Sequence, residues 1–224
     1  MDAHKNGGKC EKPKENGFST ILKRTRITSL TDEEAHELPG TCPAWSDNLR
    51  AVLFTDTEIQ SQVQKLAQQI CRDYQGRSVI CVGLLSGAMV FVADLLRHFT
   101  IPYKVDFMVV SSYGAATTSS GSIRLKKDMT LDPNGMDVLI IEDLIDTGNT
   151  LQWIKTHLSG KGCSSIKMCC LLDKKERRTV PITADYVGFE CPDEFIVGYG
   201  MDYAEDYRCL PFIGVLKPKA FMNS

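Results

Sequence analysis

The stretch VLIIEDLIDTGNT, residues 138–150, constrains this chain more than any other. Val138, Leu139, Ile140 and Ile141 form an unbroken apolar run, the pattern of a strand buried on both faces. Two acids, Glu142 and Asp143, follow at once, and Asp146-Thr147-Gly148-Asn149-Thr150 then opens a helix expected at 151–158. A loop of this kind aims backbone N–H groups and two hydroxyls at one phosphate. Gly148 lets the backbone come close, and the helix N-terminus adds a favourable dipole. Adjacent carboxylates at a strand's C-terminal end suit a polyol or a hydrated Mg²⁺. Phosphate, hydroxyls and Mg²⁺ together describe a phosphorylated sugar. The bland alternative is a buried strand with a solvated acidic turn, but this order of residues is far more particular than a lone glycine loop. The loop has neither the Gly-Lys-Thr of a Walker A motif nor the Gly-x-Gly-x-x-Gly of a Rossmann turn.

The flanking sequence extends the pattern. Residues 52–54 read as a short strand. Thr55-Asp56-Thr57-Glu58 has capping-box spacing, and Ile59, Val63, Leu66, Ala67 and Ile70 recur at helical intervals. A strand at 78–84 passes through Leu85-Ser86-Gly87-Ala88 into a helix at 89–99. Pro102 breaks the chain, and 104–111 is the next strand. Residues 115–122, rich in Ala, Thr, Ser and Gly, are expected to form a mobile loop. After strand 138–143 and helix 151–158, ended by Gly160 and Gly162, comes a strand at 165–172. Strands alternating with helices predict an α/β fold, a doubly wound parallel sheet with ligands at the strands' C-terminal ends. Beyond Pro181 short strand-like pieces at 186–189, 195–199 and 212–216 suggest a small antiparallel cap, at about 181–218. Residues 1–48 are polar and read as a poorly ordered extension with a short structured piece near 19–27, leaving 49–224 as one domain.

Composition narrows the function classes. The 224 residues, 43% hydrophobic, suffice for one domain with a full core. A net charge of −2 offers no basic face to nucleic acid or to an anionic membrane. No apolar run approaches the roughly 20 residues of a spanning helix, and the opening MDAHKNGGKC lacks the apolar centre of a signal peptide. A cytoplasmic protein is expected. Nine cysteines without a Cys-x-x-Cys, and four scattered histidines, argue against a metal cluster and for reduced thiols, with Cys81, Cys169 and Cys170 in apolar stretches.

The acid-pair stretch resembles the motif with which type I phosphoribosyltransferases bind 5-phosphoribosyl 1-pyrophosphate (PRPP). KVDFMVVSSY at 104–113, LLDKK at 171–175 and VGFECPDEFIVGYGMDYAEDYR at 187–208 follow in the order seen in hypoxanthine-guanine phosphoribosyltransferases. The resemblance implies the type I phosphoribosyltransferase fold with a C-terminal hood. It also implies transfer of the phosphoribosyl group from PRPP to N9 of a 6-oxopurine (hypoxanthine, guanine or xanthine), giving a nucleoside monophosphate and pyrophosphate, with Mg²⁺ as cofactor. Asp146 matches the general base for the purine N7 proton. Glu142 and Asp143 match the pair at the ribose hydroxyls, and Thr147, Gly148, Asn149 and Thr150 the 5′-phosphate cradle. Lys174 matches the donor to the 6-oxo oxygen, Phe195 the aromatic that stacks on the purine, and Ile196 a main-chain partner of the base edge. Asp202 matches a ligand of Mg²⁺-bound water beside the purine, so that Glu142, Asp143 and Asp202 make up the expected metal set. Leu85, Ser86, Gly87 and Arg208 match pyrophosphate contacts, and Ser112 and Tyr113 the start of a loop that closes over the site. Lys175, Arg177 and Arg178 read as a solvated basic turn.

One position departs from the family pattern. Many relatives carry Leu-Lys-Gly in the pyrophosphate loop, where this chain has Leu85-Ser86-Gly87, so the cationic side chain is gone. Relatives often place a non-proline cis peptide there, which in this chain would join Leu85 to Ser86. A regulator or a catalytically weak paralogue on the same fold is the second reading. The acidic balance, the lack of a helix-turn-helix pattern and the presence of Asp146 favour the enzyme. The family assembles as dimers or tetramers, and a homodimer is the default expectation.

Overall fold

Side-chain alternation along three strands explains the architecture. In β3 (Val79–Leu85), β6 (Asp137–Ile145) and β7 (Ser165–Asp173), Val79, Cys81, Leu139, Ile141, Cys169 and Leu171 enter one hydrophobic cluster. Their neighbours Ile80, Val82, Val138, Ile140, Met168 and Cys170 enter another. Side chains of a strand point alternately to opposite faces, so three strands with unbroken apolar runs need cover on both sides. Helices α3 (Asp56–Asp73) and α4 (Met89–Arg97) cover the first face, and α5 (Asn149–Ser159) covers the second. This is the expected doubly wound fold.

The computed structural model describes residues 22–23, 28–113 and 122–222, without the side chains of 22, 23, 112, 113 and 122. Among these, a seven-stranded sheet runs β1-β8-β7-β6-β3-β4-β5, where β1 is Leu22–Lys23, β4 Tyr103–Tyr113, β5 Ser122–Lys127 and β8 Tyr186–Glu190. All neighbours are parallel except β4 and β5. From β3 the chain first adds β4 on one side and later β6 on the other, so strand order reverses between β3 and β6. Ligands of open α/β sheets bind at such a switch point.

A second sheet of three antiparallel strands, β2-β10-β9, forms the hood from β2 (Leu49–Phe54), β9 (Ile196–Val197) and β10 (Ile213–Leu216). The expectation for the cap is corrected in two ways. The strand at 186–189 joins the main sheet in parallel, and the hood recruits β2 from the other end of the sequence. The strand expected at 195–199 is cut short because Gly198 and Tyr199 have φ of 96° and 52°, outside the extended region.

The extension also differs from expectation where it is described. Residues 28–48 carry α1 (Asp32–His36), closed by a capping box between Thr31 and Glu34, and α2 (Pro43–Ser46). Trp45 packs on Tyr207 with ring centroids 5.2 Å apart, Asn48 Nδ2 donates to Tyr207 Oη, and Ala35 is buried. The apolar positions are few, but the hood supplies the surface that they cover. The strand β5 was not foreseen, and the mobile loop expected at 115–122 lies outside the described residues up to 121.

Candidate active site

The C-terminal ends of β6 and β7 meet the hood around an open cleft of about 700 Å³. Glu142, Asp143, Asp146, Thr147, Gly148, Thr150, Lys174, Phe195, Ile196 and Asp202 all border it, so the structure gathers most of the sequence-predicted site. β6 carries the acid pair past its apolar run. Burial, and then the charge of Asp143 beside it, push the Glu142 carboxyl well above the ordinary glutamate value.

The loop from Asp146 leaves β6 and enters α5 through Gly148, whose φ is 87°. A Cβ there would lie 2.5 Å from Ile182 Cγ2 and 2.9 Å from Arg178 Cδ, so glycine is needed for space as well as conformation. No side chain caps α5. Its N-terminus borders the cleft at Gly148, Thr150 and Leu151. The helix starts at Asn149, two residues before the sequence pattern placed it, because Asn149 and Thr150 lack the apolar side chains by which a helical stripe is recognised.

Leu85, Ser86 and Gly87, with Arg208, do not border the cleft, but the loop packs behind the acid pair. The Leu85–Ser86 peptide bond is cis, as the resemblance implied. A Cβ on Gly87 would fall 2.0 Å from Asp143 Oδ2, and one on Gly200 2.0 Å from Gly87 O. Two glycines thus let the β3 loop, the acid pair and the hood touch. Gly200 was missed in the sequence because a lone glycine in a loop announces no partner. Arg208 Nη1 lies 2.9 Å from Asp202 Oδ1 and donates to Gly200 O at 3.0 Å, which places the guanidinium beside this junction. The hood backbone bends sharply here. Ala204, Glu205 and Tyr207 all have positive φ, a concentration of local strain typical of functional loops.

Lys174 follows β7 directly and is 7% exposed. Its Nζ donates to Glu194 O at 2.7 Å, beside Phe195. The ammonium and the aromatic platform are therefore coupled through one peptide unit. The solvated-turn expectation is corrected at each position: Lys175, though exposed, contacts Glu190 closely through Nζ. Arg177 Nε sits 2.7 Å from Asp146 Oδ1, and its Nη1 lies 3.6 Å from Asp193 Oδ2. Arg178 is largely buried. It contacts Asp173 closely through Nη2, donates to Ile182 O, and donates from Nε to Asp146 O at 3.2 Å. The signal was present: Asp173 ends an apolar strand, and a buried carboxylate requires a cation.

The metal set that the resemblance implied, Glu142, Asp143 and Asp202, lies along one cleft. Among the described residues no three His, Cys, Asp or Glu side chains converge as a metal cage. Asp202 borders the same cleft as Glu142 and Asp143, and its carboxylate pairs with Arg208 and accepts from Glu205 N–H at 3.0 Å. The adjacent acids fit a hydrated Mg²⁺ held jointly with substrate oxygens, the usual mode for this ion. Asn149 stands at the loop without bordering the cleft. The backbone of Ser112 and Tyr113 ends β4, and their side chains lie outside the described residues.

The phosphoribosyl transferase domain model matches residues 54–204. The chain belongs to the phosphoribosyltransferase family. It is 45% identical to the hypoxanthine-guanine phosphoribosyltransferase of Streptococcus pneumoniae over 177 residues, covering 79% of this chain and 98% of that one. It is also 45% identical to the bifunctional protein TilS/HprT of Listeria innocua, of whose length the chain spans 27%. A crystal structure of the hypoxanthine phosphoribosyltransferase of Staphylococcus aureus superposes with a TM-score of 0.76 at 43% identity, covering 80% of this chain and 97% of that one. The family membership accounts for the mostly parallel sheet and for the loop at its switch point.

Proposed function

We propose that this phosphoribosyltransferase serves purine salvage, moving the 5-phosphoribosyl group of PRPP to N9 of a 6-oxopurine and releasing pyrophosphate. The observation that carries the reading is one cleft bordered by an uncapped helix N-terminus, an acid pair, a buried lysine and an exposed aromatic.

Each group has a place in the reaction. The first-turn N–H groups of α5 and the hydroxyls of Thr147 and Thr150 bind the 5′-phosphate. Glu142 and Asp143 hold the ribose hydroxyls and the hydrated Mg²⁺ that comes with PRPP; when bound, that ion neutralises charge growing on the leaving pyrophosphate. Leu85, Ser86 and Gly87 present main-chain groups to the pyrophosphate, and Arg208 adds charge-assisted donors. Lys174 donates to the 6-oxo oxygen. The same ammonium would face the 6-amino donor of adenine and disfavour it. Phe195 stacks on the base, and Ile196 offers main-chain groups to its edge.

Asp146 takes the N7 proton as the glycosidic bond forms. Before substrate enters, it is paired with Arg177, so the base must exchange that contact for the purine. Free, buried thiols at Cys81, Cys169, Cys170 and Cys191 fit a reducing cytoplasm. Exposed Met89, Tyr103 and Val105 fit a homodimer, which light scattering tests.

Nucleotide formation from PRPP with hypoxanthine, guanine, xanthine and adenine in turn tests the reading. IMP and GMP are expected, with little AMP. Efficient AMP formation would overturn the 6-oxopurine assignment, and PRPP binding without turnover of any base would make the protein a regulator.

A further inference from the structure

The C-terminal segment reaches the base site from outside the stretches that resemble the family. Leu216 N–H donates to Phe195 O at 2.9 Å, and Lys217 N–H donates to Asn48 O at 2.7 Å. Lys217 Nζ also lies 3.0 Å from Asp32 Oδ1 in the N-terminal segment. A short 3₁₀ turn, Pro218–Ala220, then lays the ring of Phe221 on that of Phe195. The centroids are 4.7 Å apart and the planes 21° from parallel, while Tyr203 meets Phe195 edge-on at 5.4 Å. Phe221 borders the cleft together with Lys174, Glu194 and Phe195, and it packs against the hood cluster of Tyr207, Leu210 and Phe212.

We propose that Phe221 is a positioning residue for the purine, holding the Phe195 ring in the plane on which the base stacks. The inference rests on the function proposed above. Phe195 is 37% exposed, and an aromatic ring that open to water samples several orientations unless something holds it. Stacking a base on a loose ring costs the freedom that the ring then loses. Here one face is already occupied by Phe221, and Tyr203 stands at right angles to the ring. A third ring between Phe195 and Phe221 would need roughly 7 Å, two contacts at about 3.5 Å each, so the pair is too close to admit one. The base must take the opposite face, giving the order Phe221, Phe195, purine. The clip that delivers Phe221 is tied at its start to the backbone of Phe195 itself and to the segment containing Asp32 and Asn48. This gives the N-terminal segment an indirect part in base binding.

The test uses the full chain and two probes, GMP and ribose 5-phosphate, titrated by calorimetry. Ribose 5-phosphate reads the phosphate and ribose sites alone, and GMP adds the base. Phe221→Ala and Phe221→Leu are expected to weaken GMP by about three- to tenfold, the worth of one aromatic pair, and to leave ribose 5-phosphate unchanged. Phe221→Tyr keeps the ring and should bind GMP like the parent. Leu preserves most of the buried volume, so its result stands even where the Ala variant fails to fold. Unchanged or tighter GMP binding in the Leu variant would overturn the proposal, as would parallel loss of both ligands or a Tyr variant as weak as Leu. The reaction itself is read separately, from nucleotide formation by the parent. A parent that makes IMP or GMP while Phe221→Leu binds GMP normally loses only this inference.

Discussion

Helices α3 and α5 begin in opposite ways. At α3, Thr55 Oγ1 accepts from Glu58 N–H at 3.3 Å and Glu58 Oε2 accepts from Thr55 N–H at 2.9 Å, so the chain satisfies its own donors. At α5, Gly148 brings no side chain, and the helix N-terminus borders the cleft. The contrast extends to the neighbours. α1 is closed by the Thr31–Glu34 box, while α4, which follows the pyrophosphate loop, has Ala88 at its cap position and no capping side chain. The closed ends lie away from the cleft and serve stability. The open ends of α4 and α5 flank the switch point of the sheet, whereas short α2, which also has no capping side chain but carries Pro43 in its first turn, lies away from it. An uncapped helix forgoes about 1 kcal/mol of capping, which an anion bound at the α5 end, as proposed above, would return.

The strongest test of this division lies in the loop that leads to the open end. Asp146→Asn keeps the shape of the side chain but cannot accept the N7 proton. A fall in kcat of about 10²–10⁴ is expected, with PRPP affinity by titration near that of the parent. A near-parent kcat would leave Asp146 as a structural member of the loop. Gly148→Ala comes next. Its methyl would meet Ile182 and Arg178 at a φ of 87°, for a loss of about 2–4 kcal/mol shared between stability and phosphate binding. Melting temperature and ribose 5-phosphate affinity should both drop, and an unaffected affinity would show that the loop does not hold the phosphate.

The closed ends should respond differently. Thr55→Ala should cost about 1 kcal/mol of stability in denaturant melts and leave the kinetic constants within twofold. A change in KM for PRPP would break the distinction between structural and functional helix ends. The smallest effect concerns Glu34. The backbone N–H and then the hydroxyl of Thr31 hold its carboxyl below the ordinary value of 4.5. A group depressed in the folded state adds stability that is present above its unfolded pKa and lost as pH falls through the folded one. A carboxyl ¹³C titration should show a midpoint below 4.5, and a midpoint above it would mean that the box at α1 is open in solution.

Much of this site was legible because its residues are local. The run Val138–Ile141, the acid pair and the Asp146–Thr150 loop lie in one stretch, and the periodicity of Ile59, Val63, Leu66 and Ile70 marked α3. What escaped was non-local. Arg177 read as part of a solvated turn because its partner Asp146 lies on another segment, while Arg178 pairs with Asp173 five residues upstream and also reaches the distant Asp146 O. Gly200 gave no sign that its Cα faces the backbone of Gly87. The polar run before residue 49 concealed two short helices, since the apolar surface that they cover belongs to the hood.

The sequence by itself determined the doubly wound sheet and the stretch from Val138 to Thr150 that borders the cleft, because strand burial is written in the spacing of adjacent residues. Only the tertiary structure decided which strands form the hood and how Arg178 ties the loop to β7. Only it decided that Phe221 lies on Phe195. Ring contacts, buried ion pairs and glycine approaches depend on distances between segments far apart in the chain, and residue spacing along one segment carries no record of them.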